Sequence, residues 1–545
     1  MKMKTNNKLL ALMLSSTVAL STATTAQTFD QAYKAISADK LHQHVKVLAS
    51  EDFGGRLPTT EGEKKTLDYL TKEFTSIGFK PGNNGSFLQA VELSEITADA
   101  DMSLTIKGNG KTETLDYLTE MVLGTSRVST SETIKNSDVV FVGYGINAPE
   151  YNWNDYKGLD VKGKTVVMLV NDPGFATQDP NLFTGSAMTY YGRWTYKYEE
   201  ASRQGAAAAI IVHEDAPASY GWSVVKNGWG GPQYKLYQAD GNKERVSIEG
   251  WLTLSSAKAM FAQAGLDFNT YKTKATQGPI NKALGLKASA TVNSTIKRST
   301  SYNFVATLPG SKTPDEHILL TGHWDHMGTD DSLEGDKVYN GAHDNATGIA
   351  GIIEISSAFA SLDKKPQRSI TVIATTAEEQ GLLGSKYYAE HPSYPLDKTV
   401  AVLNLDSLNI LGQTTDLIVK GKGKSEIEDY LKVAAKKQKR MLVPESNPAA
   451  GSYYRSDHFN FALVGVPALY AGSGNEPIND EVAAYRKATL PEMKRCYHQL
   501  CDEYNPEWNF AGAVQDLQAT FDTMYQIANS TDWPKWSKSS EFQRN

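Results

Sequence analysis

The chain has 545 residues, of which 21% are charged, and a mean hydropathy of −0.41, so we expect two compact units with terminal segments rather than one core. The formal net charge of −7 argues against nucleic-acid binding, which requires a basic surface. Beyond the N-terminal segment no apolar stretch of about 18 residues occurs, which argues against a transmembrane helix.

The N-terminus has the pattern of a secretory signal peptide. Lys2, Lys4 and Lys8 give a positive start, residues 9–20 (LLALMLSSTVAL) are apolar, and the small residues at 24–26 suit a signal peptidase. The apolar part is too short to span a bilayer comfortably. We therefore predict a signal peptide at residues 1–26 and an exported protein, periplasmic or extracellular. A retained N-terminal anchor is the alternative.

The first half of the chain contains two regions that differ in composition and in the spacing of their apolar residues. Residues 29–79 have apolar residues at helical spacing, whereas residues 90–120 alternate between polar and apolar as strands do. Between about 136 and 292 the chain is rich in glycine, tryptophan and tyrosine and carries short β-branched runs such as KTVVMLV. We assign residues 27–130 to the first part of a larger domain and residues 131–295 to a smaller β-rich domain inserted into it.

From residue 300 onwards, strand-like apolar runs alternate with helical patterns. The strands read HILLTGH, SITVIATT, TVAVLNLD and VPALYA, and segments such as ATGIAGIIEISSAFASL lie between them. This alternation predicts an α/β fold in which a mostly parallel mixed sheet has helices on both faces. Residues 296–532 then form the main part of the larger domain, and residues 533–545 form a loose tail.

Acidic and imidazole groups follow these strands or precede the helices between them. They are His323, Asp325, Asp344, Glu378, Glu379 and Asp406, and a later loop adds His498. The carboxyl ends of the strands in such a sheet meet at one edge, where ligands bind. Taken alone, Asp344 could be a helix N-cap, and the two glutamates could interact favourably with the dipole at a helix N-terminus. Asp406, after a buried-looking strand, is costly unless it pairs with or binds a cation, so the group as a whole indicates a metal site.

The residue types indicate which metal such a site would hold. Three carboxylates and two imidazoles, with no thiolate needed, suit zinc at mixed nitrogen and oxygen sites that leave a position for water. Five ligands exceed the three or so that one catalytic zinc takes from a protein. They suit two zinc ions, roughly 3.5–4 Å apart, that share one carboxylate.

Six segments together resemble the secreted bacterial di-zinc aminopeptidases, whose wider relatives include the glutamate carboxypeptidases. In chain order they are GHWD, GAHDNATG, AEEQGLLGS, NLDSLN, RSDHFNFALVGVPALYAGSG and RCYHQLCD. The resemblance extends well over residues 300–530 and loosely over residues 30–125, while VVFVGYGI and GAAAAIIVHE in the insert resemble a protease-associated domain. It implies a zinc exopeptidase-like fold, two zinc ions and peptide substrates.

The resemblance also implies a ligand set, carried over position by position. Asp344 would bridge the two zinc ions. His323 and Asp406 would complete one site, and Glu379 with His498 would complete the other.

Further matched positions concern catalysis and substrate. Glu378 would be the general base, and Tyr497 would steady the developing oxyanion. Asp325 would hold the free ring nitrogen of His323. Arg455 matches a substrate-contacting arginine in the most similar aminopeptidases.

Two histidines compete with the assigned ligands. His326 lies close to His323 in GHWDHMG, and we prefer His323 because GHWD is the matching segment. His458, in SDHF, competes with His498; it would otherwise lie behind the ligands or on a helix surface.

The only two cysteines, Cys496 and Cys501, flank His498. An exported protein can keep a disulfide, and the pair matches a disulfide in the same aminopeptidases. Such a bond would hold His498 locally; two reduced thiols are the alternative.

The predicted function is therefore zinc-dependent removal of N-terminal residues from peptides by water that two metals activate. A metallo-carboxypeptidase or dipeptidase of the same family is the alternative, because Arg455 could clamp a terminal carboxylate. More distant alternatives are a one-zinc glutaminyl cyclase, a di-metal phosphoesterase and a non-catalytic binding module. The complete ligand set together with Glu378 favours catalysis, and the adjacent Tyr497 and His498 favour amide hydrolysis.

Overall fold

The structure, a computed structural model, describes residues 26–538 and 540–544. The predicted signal peptide therefore lies, apart from Ala26, outside the described residues. Within the described part of the chain, no helix combines the length and the apolar character that crossing a membrane requires.

Helices and strands are distributed along the whole described chain. The helices are α1 Phe29–Ala35, α2 Ala38–Leu48, α3 Glu61–Ser76, α4 Pro173–Thr177, α5 Trp194–Arg203, α6 Asp215–Ala218, α7 Trp222–Trp229, α8 Leu254–Gln263, α9 Phe268–Gln277, α10 Thr347–Ser361, α11 Leu383–Glu390, α12 Ile427–Lys437, α13 His458–Leu463, α14 Asp480–Cys496 and α15 Ala511–Ala528. The strands are β1 Lys80–Pro81, β2 Leu88–Ala98, β3 Ser103–Gly108, β4 Lys111–Asp116, β5 Met121–Gly124, β6 Ser131–Phe141, β7 Asn147–Ala148, β8 Trp153–Asn154, β9 Thr165–Leu169, β10 Ala208–Val212, β11 Gln233–Leu236, β12 Ile248–Leu252, β13 Lys282–Leu308, β14 Thr313–His323, β15 Gly328–Thr329, β16 Val338–Tyr339, β17 Arg368–Thr375, β18 Thr399–Asn404, β19 Asp416–Val419, β20 Met441–Pro444 and β21 Ala468–Tyr470.

The sheet of the larger unit is mostly parallel. β14, β17, β18 and β21 run parallel in the spatial order β21–β18–β14–β17, and β13 pairs antiparallel with β17. Because β17 and β18 lie on opposite sides of β14, the strand order reverses at β14. A crevice for ligands is expected at the carboxyl end of a strand in this position.

Both faces of this sheet are buried. Ile318 and Leu320 pack in the apolar core that contains residues of α10 and α15, whereas Leu319 packs with Tyr388 of α11 and Phe461 of α13. Successive strand residues point to opposite faces, so an uninterrupted apolar run fits a strand that is covered on both sides. The predicted α/β fold with a mainly parallel sheet is confirmed.

The smaller unit has apolar cores of its own. β6, β9, β10 and β12 run parallel there, and the 27-residue β13 continues from this unit into the larger one. The boundary differs from the expected residues 27–130 and 131–295, because β3, β4 and β5 pair within the smaller unit. Leu104 and Ile106 of β3 are buried in its core, and alternation alone could not indicate which sheet they would cover.

The described residues 533–538 and 540–544 include buried side chains, whereas a loose tail is the expectation for residues 533–545. Trp536 and Phe542 are 7% and 5% exposed, and Trp536 Nε1 donates to the carbonyl of Gly465 at 2.9 Å. The Glu541 carboxylate accepts a hydrogen bond from Lys424 Nζ at 2.8 Å. Burial of two large aromatic side chains offsets the polar composition of this segment.

Candidate metal centre

Three of the predicted site segments lie at the carboxyl ends of neighbouring parallel strands. His323 is the last residue of β14, Glu378 and Glu379 follow the end of β17, and Asp406 follows the end of β18. These side chains therefore converge beside β14, where the strand order reverses.

Asp344 lies in a turn that precedes α10, and its neighbour Asn345 fixes this turn. The Asn345 side-chain amide donates to the carbonyls of His323 and Leu405, both at 3.2 Å. Its side-chain oxygen accepts from the backbone N–H of Ser407 at 3.0 Å. The peptide bond between Asp344 and Asn345 is cis. Asn345 thus joins the turn to the ends of β14 and β18.

His498 lies in the loop that follows α14. Cys496 and Cys501 form a disulfide bond across this loop, with their Cα atoms 5.1 Å apart. The backbone φ of His498 is +56°, a left-handed conformation that costs a non-glycine residue about 1–3 kcal/mol. The bonded loop maintains His498 in this conformation.

Two groups of side chains meet at Asp344. In the first group, His323 Nε2 lies 3.2 Å from Asp344 Oδ1 and 3.6 Å from Asp406 Oδ1. In the second group, His498 Nε2 lies 3.2 Å from Asp344 Oδ2 and 3.1 Å from Glu379 Oε2. Each oxygen of the Asp344 carboxylate therefore faces a different imidazole, which is how a bridging ligand is arranged.

Burial and charge act in opposite directions on these groups. Burial alone would raise the pKa of Asp344, but hydrogen bonds from His323 and His498 hold it well below its usual range. Burial also opposes ionisation of Glu379, yet the charge on His498 lowers its pKa to about 2. In return, Glu379 and Asp344 outweigh the burial of His498 and raise its pKa to about 10. The carboxylates are thus ionised, and protonated imidazoles supply the balancing charge.

The donor atoms fit zinc. A tetrahedral zinc ion with bonds of about 2.0–2.1 Å holds its donor atoms roughly 3.3 Å apart, close to the 3.1–3.6 Å between imidazole nitrogen and carboxylate oxygen in both groups. His323, Asp344 and Asp406 also present one donor atom each within 4.8 Å of one another. Zinc would replace the protons on the imidazoles, so its binding would release protons.

Glu378 lies beside the first group, with its Oε2 4.0 Å from His323 Nε2. Burial raises the pKa of Glu378 well above its usual value, and Glu379 adds to this effect against the charge of His323. Asp325 differs from the expectation, because His323 Nδ1 is 3.1 Å from its backbone carbonyl and 3.9 Å from its carboxylate. The Asp325 carboxylate instead accepts from the backbone N–H of Glu378 at 3.1 Å.

The two rival histidines have different surroundings. His326 Nδ1 lies 2.8 Å from Glu379 Oε1, the oxygen opposite the one that faces His498, and it could join a metal group with Glu379 and Asp344. His458 is fully buried, with its ring 4.5 Å from that of Tyr453. Among the described residues, neither His458 nor His498 belongs to a set of three donor atoms that lie within 4.8 Å of one another, whereas His326 does.

Tyr497 and Arg455 lie on the exposed side of the site. Tyr497 is 55% exposed, and its ring stacks on that of His498 with their centroids 3.9 Å apart. Desolvation of its hydroxyl and the nearby carboxylates, Asp344 first among them, raise the pKa of Tyr497, so the hydroxyl can donate a hydrogen bond. The Arg455 guanidinium lies 5.8 Å from the ring centroid of Tyr220, which places the smaller unit next to the site.

One residue that sequence reasoning left without a role is Asp502. Its carboxylate accepts from the backbone N–H groups of His343 and Asp344 at 2.9 and 3.1 Å, and its carbonyl accepts from Ala342 N–H at 2.9 Å. Asp502 therefore links the disulfide loop to the turn that presents Asp344. The available signal was an acid directly after the second cysteine in RCYHQLCD.

Residues 303–522 match peptidase family M28. A probable zinc metalloprotease of Pyricularia oryzae is 38% identical over 114 residues, which are 21% of this chain and 21% of that protein. Leupeptin-inactivating enzyme 1 of Streptomyces exfoliatus is 26% identical over 207 residues, or 37% of this chain and 43% of that protein. The chain thus matches about a fifth of the length of the first relative and less than half of the second.

Among solved structures, the aminopeptidase from Aneurinibacillus sp. strain AM-1 superposes with a TM-score of 0.52 at 20% sequence identity. The superposition covers 93% of this chain and 97% of that one. The two proteins therefore share a fold over both units.

Proposed function

We propose that this chain, whose residues 303–522 form a domain of peptidase family M28, is an exported zinc aminopeptidase that removes N-terminal residues from peptides. The observation that carries the proposal is the position of the Asp344 carboxylate, whose two oxygens face His323 and His498 at 3.2 Å each. Removal of residues from the N-terminus is supported by the fold shared with the Aneurinibacillus aminopeptidase. The signal-like sequence at residues 1–26 supports export.

In this proposal Asp344 would be shared by two zinc ions. His323 and Asp406 would complete one site, and Glu379 and His498 would complete the other. We prefer His498 to His326 as the ligand because its Nε2 lies 3.1–3.2 Å from both carboxylates of that group. When bound, such an ion pair lowers the pKa of a water molecule and polarises the carbonyl of a substrate.

The remaining side chains supply proton transfer and orientation. Glu378 accepts the proton of the attacking water and passes it to the leaving amine nitrogen. Asp325 fixes the backbone of Glu378 through its carboxylate, which limits how far the base can move. The Tyr497 hydroxyl donates a hydrogen bond to the substrate carbonyl oxygen as negative charge develops on it.

A carboxypeptidase or dipeptidase is the second candidate, and one observation favours it. Arg455 and Arg193 carry no ion pair with a carboxylate among residues 26–538 and 540–544, and Arg193 Nε is buried without a hydrogen-bond partner. Guanidinium groups bind carboxylates in a bidentate manner, so this edge of the site could receive the terminal carboxylate of a short peptide.

The two candidates differ in which end of the substrate must be free. The test compares leucyl, alanyl, lysyl and glutamyl anilides with N-acetylated peptides that have a free C-terminus. An aminopeptidase releases aniline from the free-amine substrates and leaves the blocked peptides intact. Turnover of the blocked peptides from the C-terminus would replace the proposal by the second candidate.

The matched control for this assay is Asp344→Asn, which removes the charge of the shared carboxylate and little volume. The variant should be inactive on every substrate and should hold less zinc after dialysis. Activity that persists in this variant, or in protein treated with a chelator, would refute a zinc peptidase.

A further inference from the structure

Arg56 is 1% exposed, and its guanidinium makes hydrogen bonds to backbone oxygens alone among the described residues. Its Nε donates to the carbonyl of Trp324 at 2.9 Å, and its Nη1 donates to those of Leu48 and Asn340 at 2.8 and 2.6 Å. Its Nη2 donates to the carbonyl of Gly341 at 2.8 Å. A buried arginine normally has a carboxylate partner, and Arg56 makes no ion pair in the part of the chain that the structure describes.

Three of the four carbonyls, those of Trp324, Asn340 and Gly341, belong to the two segments that carry His323 and Asp344. Trp324 follows His323 at the end of β14, and Gly341 opens the turn that presents Asp344. Gly341 has a φ of +55°, and a Cβ atom there would lie 2.3 Å from the carbonyl oxygen of Asp344. The turn is therefore tight, and the guanidinium fixes its start relative to the strand that carries His323.

The charge of Arg56 bears on the same centre. Burial lowers the pKa of Arg56 to about 10, while Asp502 and Asp325 act against this effect. The group therefore remains charged at neutral pH. A positive charge beside a cation site disfavours zinc by Coulomb repulsion, so any benefit of Arg56 to zinc binding must come from its hydrogen bonds.

We propose that Arg56 is a positioning residue for the metal pair: its planar guanidinium holds the His323 and Asp344 segments at the separation that two zinc ions require. This inference rests on the proposed function. Lysine would keep the charge but could not reproduce four donors in a fixed plane. Arg56 contributes by fixing the positions of these backbone segments, not by its charge.

The test uses the full chain with Arg56→Lys and Arg56→Gln. The control is Arg368→Lys, since Arg368 is also 1% exposed and donates to the carbonyls of Ile527 and Asp532, away from the metal centre. Zinc dissociation constants come from competition with a chelator, and melting temperatures are measured with and without zinc. Loss of an outer contact around a metal site weakens binding by about 10- to 100-fold, and we expect this for both Arg56 variants.

We also expect the zinc-induced rise in melting temperature to shrink in both Arg56 variants and to stay at the wild-type size in Arg368→Lys. A merely structural role would lower the melting temperatures with and without zinc equally. Wild-type zinc affinity in Arg56→Lys, tighter binding in Arg56→Gln, or equal loss in Arg368→Lys would each overturn the proposal.

A milder variant keeps the test decisive should both Arg56 variants fail to fold. Asn340→Ala removes the side-chain bonds of Asn340 to the carbonyl of Ala49 and to Glu51, which brace the same junction. Its zinc affinity should fall in the same direction, and an unchanged affinity would refute the inference. A wild-type protein that binds no zinc would refute the proposed function itself.

Discussion

Replacing Glu378 by glutamine distinguishes the proposed general base from the proposed zinc ligands. Glu378 Oε2 lies 4.0 Å from His323 Nε2, whereas Glu379 Oε2 lies 3.1 Å from His498 Nε2, as a ligand atom should. Glu378→Gln keeps the volume of the side chain but removes its ability to accept a proton. A general base contributes about 10²- to 10⁴-fold to rate, which corresponds to roughly 3–5 kcal/mol of activation free energy.

The assay measures kcat on leucyl anilide together with zinc content after dialysis. We expect Glu378→Gln to lose activity by this factor and to retain two zinc ions per chain. The adjacent Glu379→Gln is the matched control, and it should lose zinc as well as activity. Loss of zinc in Glu378→Gln, or a kcat within tenfold of the wild type, would refute the assignment of Glu378 as the base.

Three further predictions concern the surroundings of the site. Asp502→Asn should weaken zinc binding about tenfold, because it weakens the link between the disulfide loop and the turn of the shared carboxylate; unchanged chelator competition would contradict this. Serine at both Cys496 and Cys501 should lower the free energy of unfolding by at most about 2 kcal/mol, because the loop is short. It should also release His498, so we expect a larger loss in the free energy of zinc binding than in the free energy of unfolding in denaturant. A larger loss in unfolding than in zinc binding would exclude a local role for the disulfide. Burial lowers the pKa of His317 to about 4, so the unfolded chain binds more protons and stability is lost as pH falls from 6.5 to 4, by up to about 3 kcal/mol. Urea unfolding of metal-free protein should therefore show a weaker pH dependence for His317→Gln, and an unchanged slope would count against this origin.

The sheet and the meeting of the ligand segments could be anticipated from strand patterns. HILLTGH and SITVIATT are apolar throughout, which indicates strands covered on both faces. Parallel strands place their carboxyl ends at one edge, so His323, Glu379 and Asp406 were expected together although they are far apart in the chain. The structure brings them together with Asp344 and His498.

Other features depend on geometry that residue types do not encode. Asp325 reaches His323 with its backbone carbonyl and Glu378 with its carboxylate, and the sequence alone favours neither contact. Arg56 lies almost 270 residues from Trp324 in the chain, so no local pattern connects them.

Domain boundaries were missed for a related reason. β3 has the same alternation whichever sheet it joins, and β13 runs through both units without a break. In the C-terminal segment, Trp536 and Phe542 are buried although most of their neighbours in the sequence are polar. These two aromatic side chains decide how the segment packs. Composition averaged over the segment hides them.

Anomalous X-ray scattering at the zinc edge, from crystals grown with zinc, tests the metal pair most directly. We predict two peaks roughly 3.5–4 Å apart, one on each side of the Asp344 carboxylate, with His323 and Asp406 on one and Glu379 and His498 on the other. A single peak, or peaks that Asp344 does not bridge, would contradict the two-metal centre.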